Sequence, residues 1–280
     1  MKKNIAILLL VTLSAVALCA GKDKPKPITA EELIKRANDI YYVPLLSTAK
    51  CELVVPFIQN DAELNSDGNL KFYYSYTAPN EHIVTIEGLS EERQTLKATL
   101  LNLLQPIAES AFPQSPTLDT DNRKIEIIKT QKRIVDRKSV PYYLVMSYAE
   151  RAEDGSIANP NDIDVALLIN EDGLIDRFDY YMPVPNSTSM TVISYGIENI
   201  KTDFGYLFKN MIAKAGSYYQ DEEITYGVTN NGFMLPTKYE KRLLNNYNRV
   251  DTANGTLQVF FKDWLVIDNE LLGGNRGYVF

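Results

Sequence analysis

The sequence predicts an α+β fold: one large, curved antiparallel β-sheet with helices laid across one of its faces. Three observations carry this reading. Glu223–Asp268 holds three runs rich in Val, Ile, Tyr, Phe and Thr, separated by Asn231-Gly232 and Asn254-Gly255. Asn-Gly tolerates the positive φ of a tight hairpin, so each step reverses the chain into an antiparallel pair. From Arg123 onward a meander of strand-like runs follows: Lys124–Val135, Tyr142–Arg151, Ile163–Asn170, Ile175–Met182 and Ser189–Ile197. Asp154-Gly155 and Asp172-Gly173 mark turns between them, the second a two-residue hairpin. Finally, Leu96, Leu100, Leu103, Leu104, Ile107, Ala108 and Ala111 recur at helical spacing within Ser90–Phe112. So apolar a helix, set between strands, must lie across the sheet. One sheet of roughly ten strands is more economical than two domains, and sheets that large curl.

In chain order, Met1-Lys2-Lys3 and the apolar run Ile5–Leu18 read as a secretory signal peptide, residues 1–20, too short to span a bilayer comfortably. Cleavage near Ala17 or Ala20 would export the chain to the periplasm. Cys19 offers an outer-membrane lipoprotein anchor instead; Val16 and Ala17 suit that motif and Leu18 does not. Residues 21–28 read as a charged, Pro-interrupted linker, 29–270 as one domain and 271–280 as a loosely held tail. Thr29 and Glu32 match a capping box ahead of an amphipathic helix, Ala30–Tyr42. Lys50–Ile58, Leu70–Thr77 and His82–Glu87 read as strands. Ser90 can cap the long helix, which Pro106 should kink or break. Asp203–Ala215 reads as weakly helical, with Leu207 and Met211 inward.

The residues exclude more chemistry than they suggest. A net charge of −7 disfavours nucleic acid and gives no general attraction to anionic headgroups. His82 is the only histidine, so triads and multi-histidine metal sites have little to work with, and a partly exposed structural role fits it best. Cys51 reads as a small buried apolar residue, with a Cys19 bridge open only if Cys19 stays unlipidated. No phosphate-binding loop, dinucleotide fingerprint or nucleophile elbow occurs, and no cofactor is implied. Asp162 and Asp164 read as a solvated strand edge. The 18 tyrosines are more suggestive, because neighbours such as Tyr73-Tyr74 and Tyr180-Tyr181 send amphipathic rings to both faces of a sheet. In the last run, Leu257, Val259, Phe261, Leu265 and Ile267 share one face at period two; Phe260, Trp264 and Val266 share the other.

The order of elements, and the closing residues Gly232, Pro236, Thr237, Lys238, Val259 and Trp264, resemble the LolA/LolB/RseB-like lipoprotein-carrier superfamily. At residue level the resemblance covers Thr29–Tyr42 and Asn231–Asp268. It departs at Ser90–Phe112, which replaces the carriers' tract after the third strand, and no arginine matches the one that gates their lid. The resemblance implies an incomplete β-barrel whose concave apolar face is lidded by helices, without catalysis. It implies a non-enzymatic envelope protein that binds a lipid or lipoprotein acyl chain in transport or sorting to the outer membrane. The groove would be formed by Leu100, Leu103, Leu104, Ile107 and Phe112 on the lid and by Phe72, Tyr74, Tyr76, Phe260 and Trp264 on the sheet. The same scaffold with a filled core would suit a protein-binding envelope regulator or assembly factor, and a carboxylate hydrolase would need two acids converging in a cleft.

Overall fold

A computed structural model describes residues 27–66, 68–114, 118, 123–153, 155, 157, 163–183, 190–215, 218–244 and 256–268. The signal peptide with Cys19, residues 21–26 of the linker, Asp162, the Asn254-Gly255 turn and the tail lie outside the described residues. In chain order the elements are helix α1 (Ala30–Ile40), strand β1 (Leu46–Val54), the single-turn helix α2 (Pro56–Gln59), β2 (Lys71–Thr77), β3 (Glu81–Glu87), a 3-10 turn (Glu91–Arg93) and helix α3 (Gln94–Ala111). Then come β4 (Lys124–Val135), β5 (Lys138–Tyr148), β6 (Asp164–Asn170), β7 (Ile175–Pro183), β8 (Met190–Thr202), β9 (Gly205–Ala215), β10 (Tyr218–Val228), β11 (Met234–Leu244) and β12 (Thr256–Asp268).

The strands form one open, twelve-stranded sheet in the order β3-β2-β1-β12-β11-β10-β9-β8-β7-β6-β5-β4. Every pairing between these strands is antiparallel, and β3 and β4 are the two free edges; apart from these ladders, an isolated parallel bridge joins Tyr41 to Tyr206. From β4 to β12 the chain is a plain meander. The one long-range join is β1 beside β12, where Leu53 pairs with Phe261.

Two apolar clusters sit where the helices meet the sheet. Helix α1 begins with the expected capping box: the Glu32 N–H donates to Thr29 Oγ1 at 3.2 Å and the Thr29 N–H to Glu32 Oε2 at 3.1 Å. Its stripe of Ala30, Leu33, Ile34 and Ala37 is buried with Val145, Leu167, Ile169 and Ile175. The approach is close at Gly173, where an added Cβ would lie 2.6 Å from the backbone of Arg36 and Ala37. Only glycine admits that contact together with its φ of +91°. Just past α1, the Tyr41 hydroxyl accepts from the Ile175 N–H at 3.0 Å and donates to Asn199 Oδ1 at 2.7 Å. Helix α3 buries Leu100, Leu104, Ile107, Ala108 and Ala111 in the second cluster, with Phe72, Tyr74, Ile86, Tyr239 and Phe261 of the sheet. Cys51 is free and buried there, and burial pushes its thiol well up.

Several expectations change. Asp203–Ala215 is not helical: Gly205–Ala215 is β9, paired on both sides. Leu207 and Met211 are four apart, a spacing that fits both a helix turn and two strand repeats, and sheet pairing decides between them. The first strand spans Leu46–Val54 instead of Lys50–Ile58, because Pro56 starts the short α2. Helix α3 runs unbroken through Pro106, and Ser90 makes no side-chain cap. Between β6 and β7 the loop has three residues, since the Asn170 N–H donates to Leu174 O at 3.0 Å, with Gly173 in the left-handed region. A hairpin at Asp136-Arg137 also joins β4 to a β5 that starts earlier than expected.

The largest change of face lies in β12. Asp263 adopts φ +55°, and the β1 register slips between Lys50↔Leu265 and Glu52↔Lys262. One extra residue on β12 inverts the alternation beyond it. Val259 and Phe261 are buried before this bulge and Val266 after it, while Leu265 and Ile267 are exposed. Trp264 therefore joins Phe261 in the cluster under α3, and Phe260 does not accompany it.

Candidate functional site

The sheet residues expected to line a groove, Phe260 excepted, pack into an apolar cluster rich in aromatic rings. The Tyr74 ring lies 5.9 Å from Trp264 and 6.3 Å from Phe261, edge-on to both, and 6.0 Å from Phe112. Tyr76 stacks on Phe112 at 4.5 Å, and Phe261 stacks on Trp264 at 6.1 Å. Phe72, Tyr74, Leu104 and Ala108 are fully enclosed. The polar tips are satisfied: Tyr74 Oη lies 2.6 Å from His82 Nδ1, and Trp264 Nε1–H donates to the Pro236 carbonyl at 2.8 Å. That last bond joins two residues of the closing motif across β11 and β12. Phe260 faces the other side of the sheet, beneath the Lys238 ammonium at 5.8 Å. Its neighbours there are Lys238 and Val54, so it does not meet Trp264.

The open space lies on the other flank of α3. A groove of ≈ 560 Å³ runs between this helix and the middle strands. Leu103, Pro106 and Ile107 form its helix wall, with Asn102, Ser110 and Gln114 beside them. Leu103 is 38% exposed, whereas Leu104, one residue on, is fully buried. Helical periodicity thus divides α3 into a core stripe and a groove stripe, and of the residues expected to line a groove only Leu103 and Ile107 do so.

The floor comes from strands that carried no site expectation. Phe178 and Tyr180 lie on β7, Tyr195 on β8, Phe208 and Met211 on β9, Glu222 on β10, and Tyr239 and Lys241 on β11. Cross-strand register aligns them, pairing Phe178 with Tyr195, Met211 with Glu222, and Glu222 with Lys241. Their sequence signal was the Tyr180-Tyr181 pair and the period-two alternation of β10 and β11. Phe208 and Met211 were hidden by the helical reading of β9.

The floor is apolar at one end and polar at the other. Phe178 and Phe208 meet edge to face at 5.7 Å, beside Met211. At the polar end the Glu222 carboxylate, on the same groove floor as Tyr239, accepts from Gln220 Nε2, with the Lys241 ammonium 4.0 Å away. Burial, and then the Glu222 charge, push the Tyr239 and Tyr195 hydroxyls above their ordinary value of 10.0, so both stay protonated donors. Pro106 has no N–H to offer the Asn102 carbonyl one helical turn back, and both residues border the groove.

Among the described residues no cluster of His, Cys, Asp and Glu could hold a metal ion. Asp164 is buried in a structural role, accepting from the Ala149 N–H at 2.8 Å and pairing with Arg151 at 2.5 Å. No described helix is long and apolar enough to cross a membrane. Compared with known proteins, the chain matches no family model, no curated protein and no solved structure.

Proposed function

We propose that this is a non-enzymatic envelope protein that holds a lipid or lipoprotein acyl chain in the groove beside α3, in transport or sorting to the outer membrane. The observation that carries the reading is the ≈ 560 Å³ groove, walled by Leu103, Pro106 and Ile107 and floored by Phe178, Phe208 and Met211. That volume falls within the range of small-molecule sites. About ten methylenes moved out of water contribute roughly 8 kcal/mol before the cost of immobilisation. The Glu222–Lys241 pair and the tyrosine hydroxyls would receive the polar end of the same ligand. In this reading the sheet is curved and α1 and α3 lid its concave face, as the resemblance to lipoprotein carriers implies.

Native mass spectrometry of protein purified from a bacterial envelope tests it. Co-purified lipid, together with uptake of a fluorescent fatty acid that Leu103→Glu abolishes, is the expected result. Ligand-free protein that also ignores the fatty acid overturns it. A second reading, a protein-binding envelope factor, draws on exposed apolar residues near one end of the sheet, Leu45 at 71% and Leu265 at 65%. Those positions lie away from the groove, so Leu265→Lys separates the readings by sparing fatty-acid uptake.

A further inference from the structure

The two ends of the β4–β5 hairpin differ. Near Ser147 and Leu144, β5 is paired on both sides, with β4 and with β6. The β6 pairing stops at Tyr142↔Asn170, but the β4 ladder continues through Lys132↔Pro141, Arg133↔Val140, Ile134↔Ser139 and Val135↔Lys138. Four residues of each strand therefore continue beyond the β6 pairing as a two-stranded ribbon of roughly 13 Å. The turn is tight, with Asp136 and Arg137 both at positive φ.

The ribbon's chemistry contrasts with the rest of the chain. The ribbon, its turn and the three residues leading into it, Lys129–Lys138, hold five cations and one acid in a protein of net charge −7. Arg133 is engaged with Asp176 and lies over the Tyr142 ring, while Lys129, Lys132, Arg137 and Lys138 are exposed. Among these cations stand Ile134, 75% exposed, and Val135 on the opposite face of the strand. An isolated isoleucine on a surface needs no explanation. Ile134 and Val135 at the tip of a basic ribbon are different, because two exposed apolar side chains stand together between positive charges.

We infer that the β4–β5 ribbon docks on an anionic lipid surface, with Ile134 and Val135 entering the headgroup layer and Lys129, Lys132, Arg137 and Lys138 pairing with lipid phosphates. Charge complementarity selects this occupant: an acidic protein approaches such a surface only through a local basic patch, and the ribbon supplies one. The proposal does not rest on the groove.

The test is co-sedimentation of the full chain with vesicles of phosphatidylcholine alone and of phosphatidylcholine with phosphatidylglycerol. The apolar run Ile5–Leu18 is common to all variants, so the readout is the change in the anionic-to-neutral binding ratio. The quadruple variant K129E/K132E/R137E/K138E should lower that ratio by more than about tenfold, and so should raising salt from about 0.05 M to about 0.5 M. Ile134→Ser should lower it less, and both variants should retain the wild-type circular dichroism spectrum and groove uptake. An unchanged ratio in the quadruple variant overturns the proposal, as does capture of an acidic protein by a ribbon that ignores anionic vesicles. An unchanged ratio in Ile134→Ser overturns the insertion of the tip.

Discussion

The side-chain amide of Gln105 closes the free edge of β3 at Val84. Its Oε1 accepts from the Val84 N–H at 2.8 Å, and its Nε2 donates to the His82 carbonyl at 2.6 Å. One glutamine on α3 thus satisfies backbone groups that a neighbouring strand would otherwise have to meet, and it blocks pairing with another chain. Gln105→Leu should cost about 1–3 kcal/mol, the range for leaving buried backbone groups unpaired. Hydrogen exchange at the Val84 amide should accelerate more than at Tyr74 in the adjacent strand. Equal acceleration at both would show that the amide acts on the whole cluster and not on the edge.

Leu103 and Leu104 give the clearest contrast between groove and core. Leu104→Ala empties a fully buried site and should destabilise the fold by about 2–5 kcal/mol in urea denaturation. Leu103→Glu places its carboxylate in an open groove and should cost less than about 1 kcal/mol while removing fatty-acid uptake. If the two variants lost stability alike, the helix would have no ligand-facing stripe.

The bulge at Asp263 should tolerate glycine and resist β-branched residues. Its φ of +55° is strained for a side chain with a branched Cβ. Asp263→Gly is expected to change stability by less than about 1 kcal/mol and Asp263→Val to cost about 1–3 kcal/mol. Deleting Asp263 removes the extra residue and leaves Lys262, Trp264, Leu265 and Val266 in plain alternation, so Trp264 should keep its shielded place in the cluster. Quenching of fluorescence from Trp264, the only tryptophan, by iodide reads that outcome directly.

His82 makes stability depend on mild acid. Burial holds its imidazole below the ordinary value of 6.5, with Glu109 opposing in the smaller measure. The ring faces Tyr74, Tyr76 and Phe112. The folded protein therefore sheds a proton that the unfolded chain still binds. Stability from the neutral ring is fully present above pH 6.5 and is lost progressively as pH falls below it toward the folded value. His82→Gln should flatten the denaturation midpoint between pH 7 and about pH 5.5. An unaltered slope would place the pH dependence elsewhere.

The meander was legible from Arg123 to Ile197, and again in the closing strands, because turn residues punctuate runs of β-branched and aromatic side chains; β9 between them was not. The first helix was legible for a comparable reason, since Thr29 and Glu32 state its start in local chemistry. Features set by pairing were not. The Asp263 bulge inverts a period-two pattern that is uniform on paper, and nothing in the dipeptide Lys262-Asp263 announces an extra residue. Leu207 and Met211 satisfy either period. The groove was half legible: Leu103 and Ile107 could be read from the helix, but Tyr195, Glu222 and Lys241 come together only through register across β8 to β11. Tyr74, Phe112 and Trp264 meet one another, but that their rings fill the space between them depends on register and side-chain packing that no sequence pattern displays.

The place of β12 between β1 and β11 has a consequence for synthesis. Leu53 meets its partner Phe261 only after more than two hundred intervening residues have been made. Until then β1–β3, with their tyrosines and Phe72, are a three-stranded fragment without a neighbour on the β1 side. Contacts this distant in sequence form slowly. A ribosome stalled shortly before Thr256 would hold a chain in which β1–β3 cannot yet be seated, so the codons for Thr256–Asp268 decide when that part of the sheet closes.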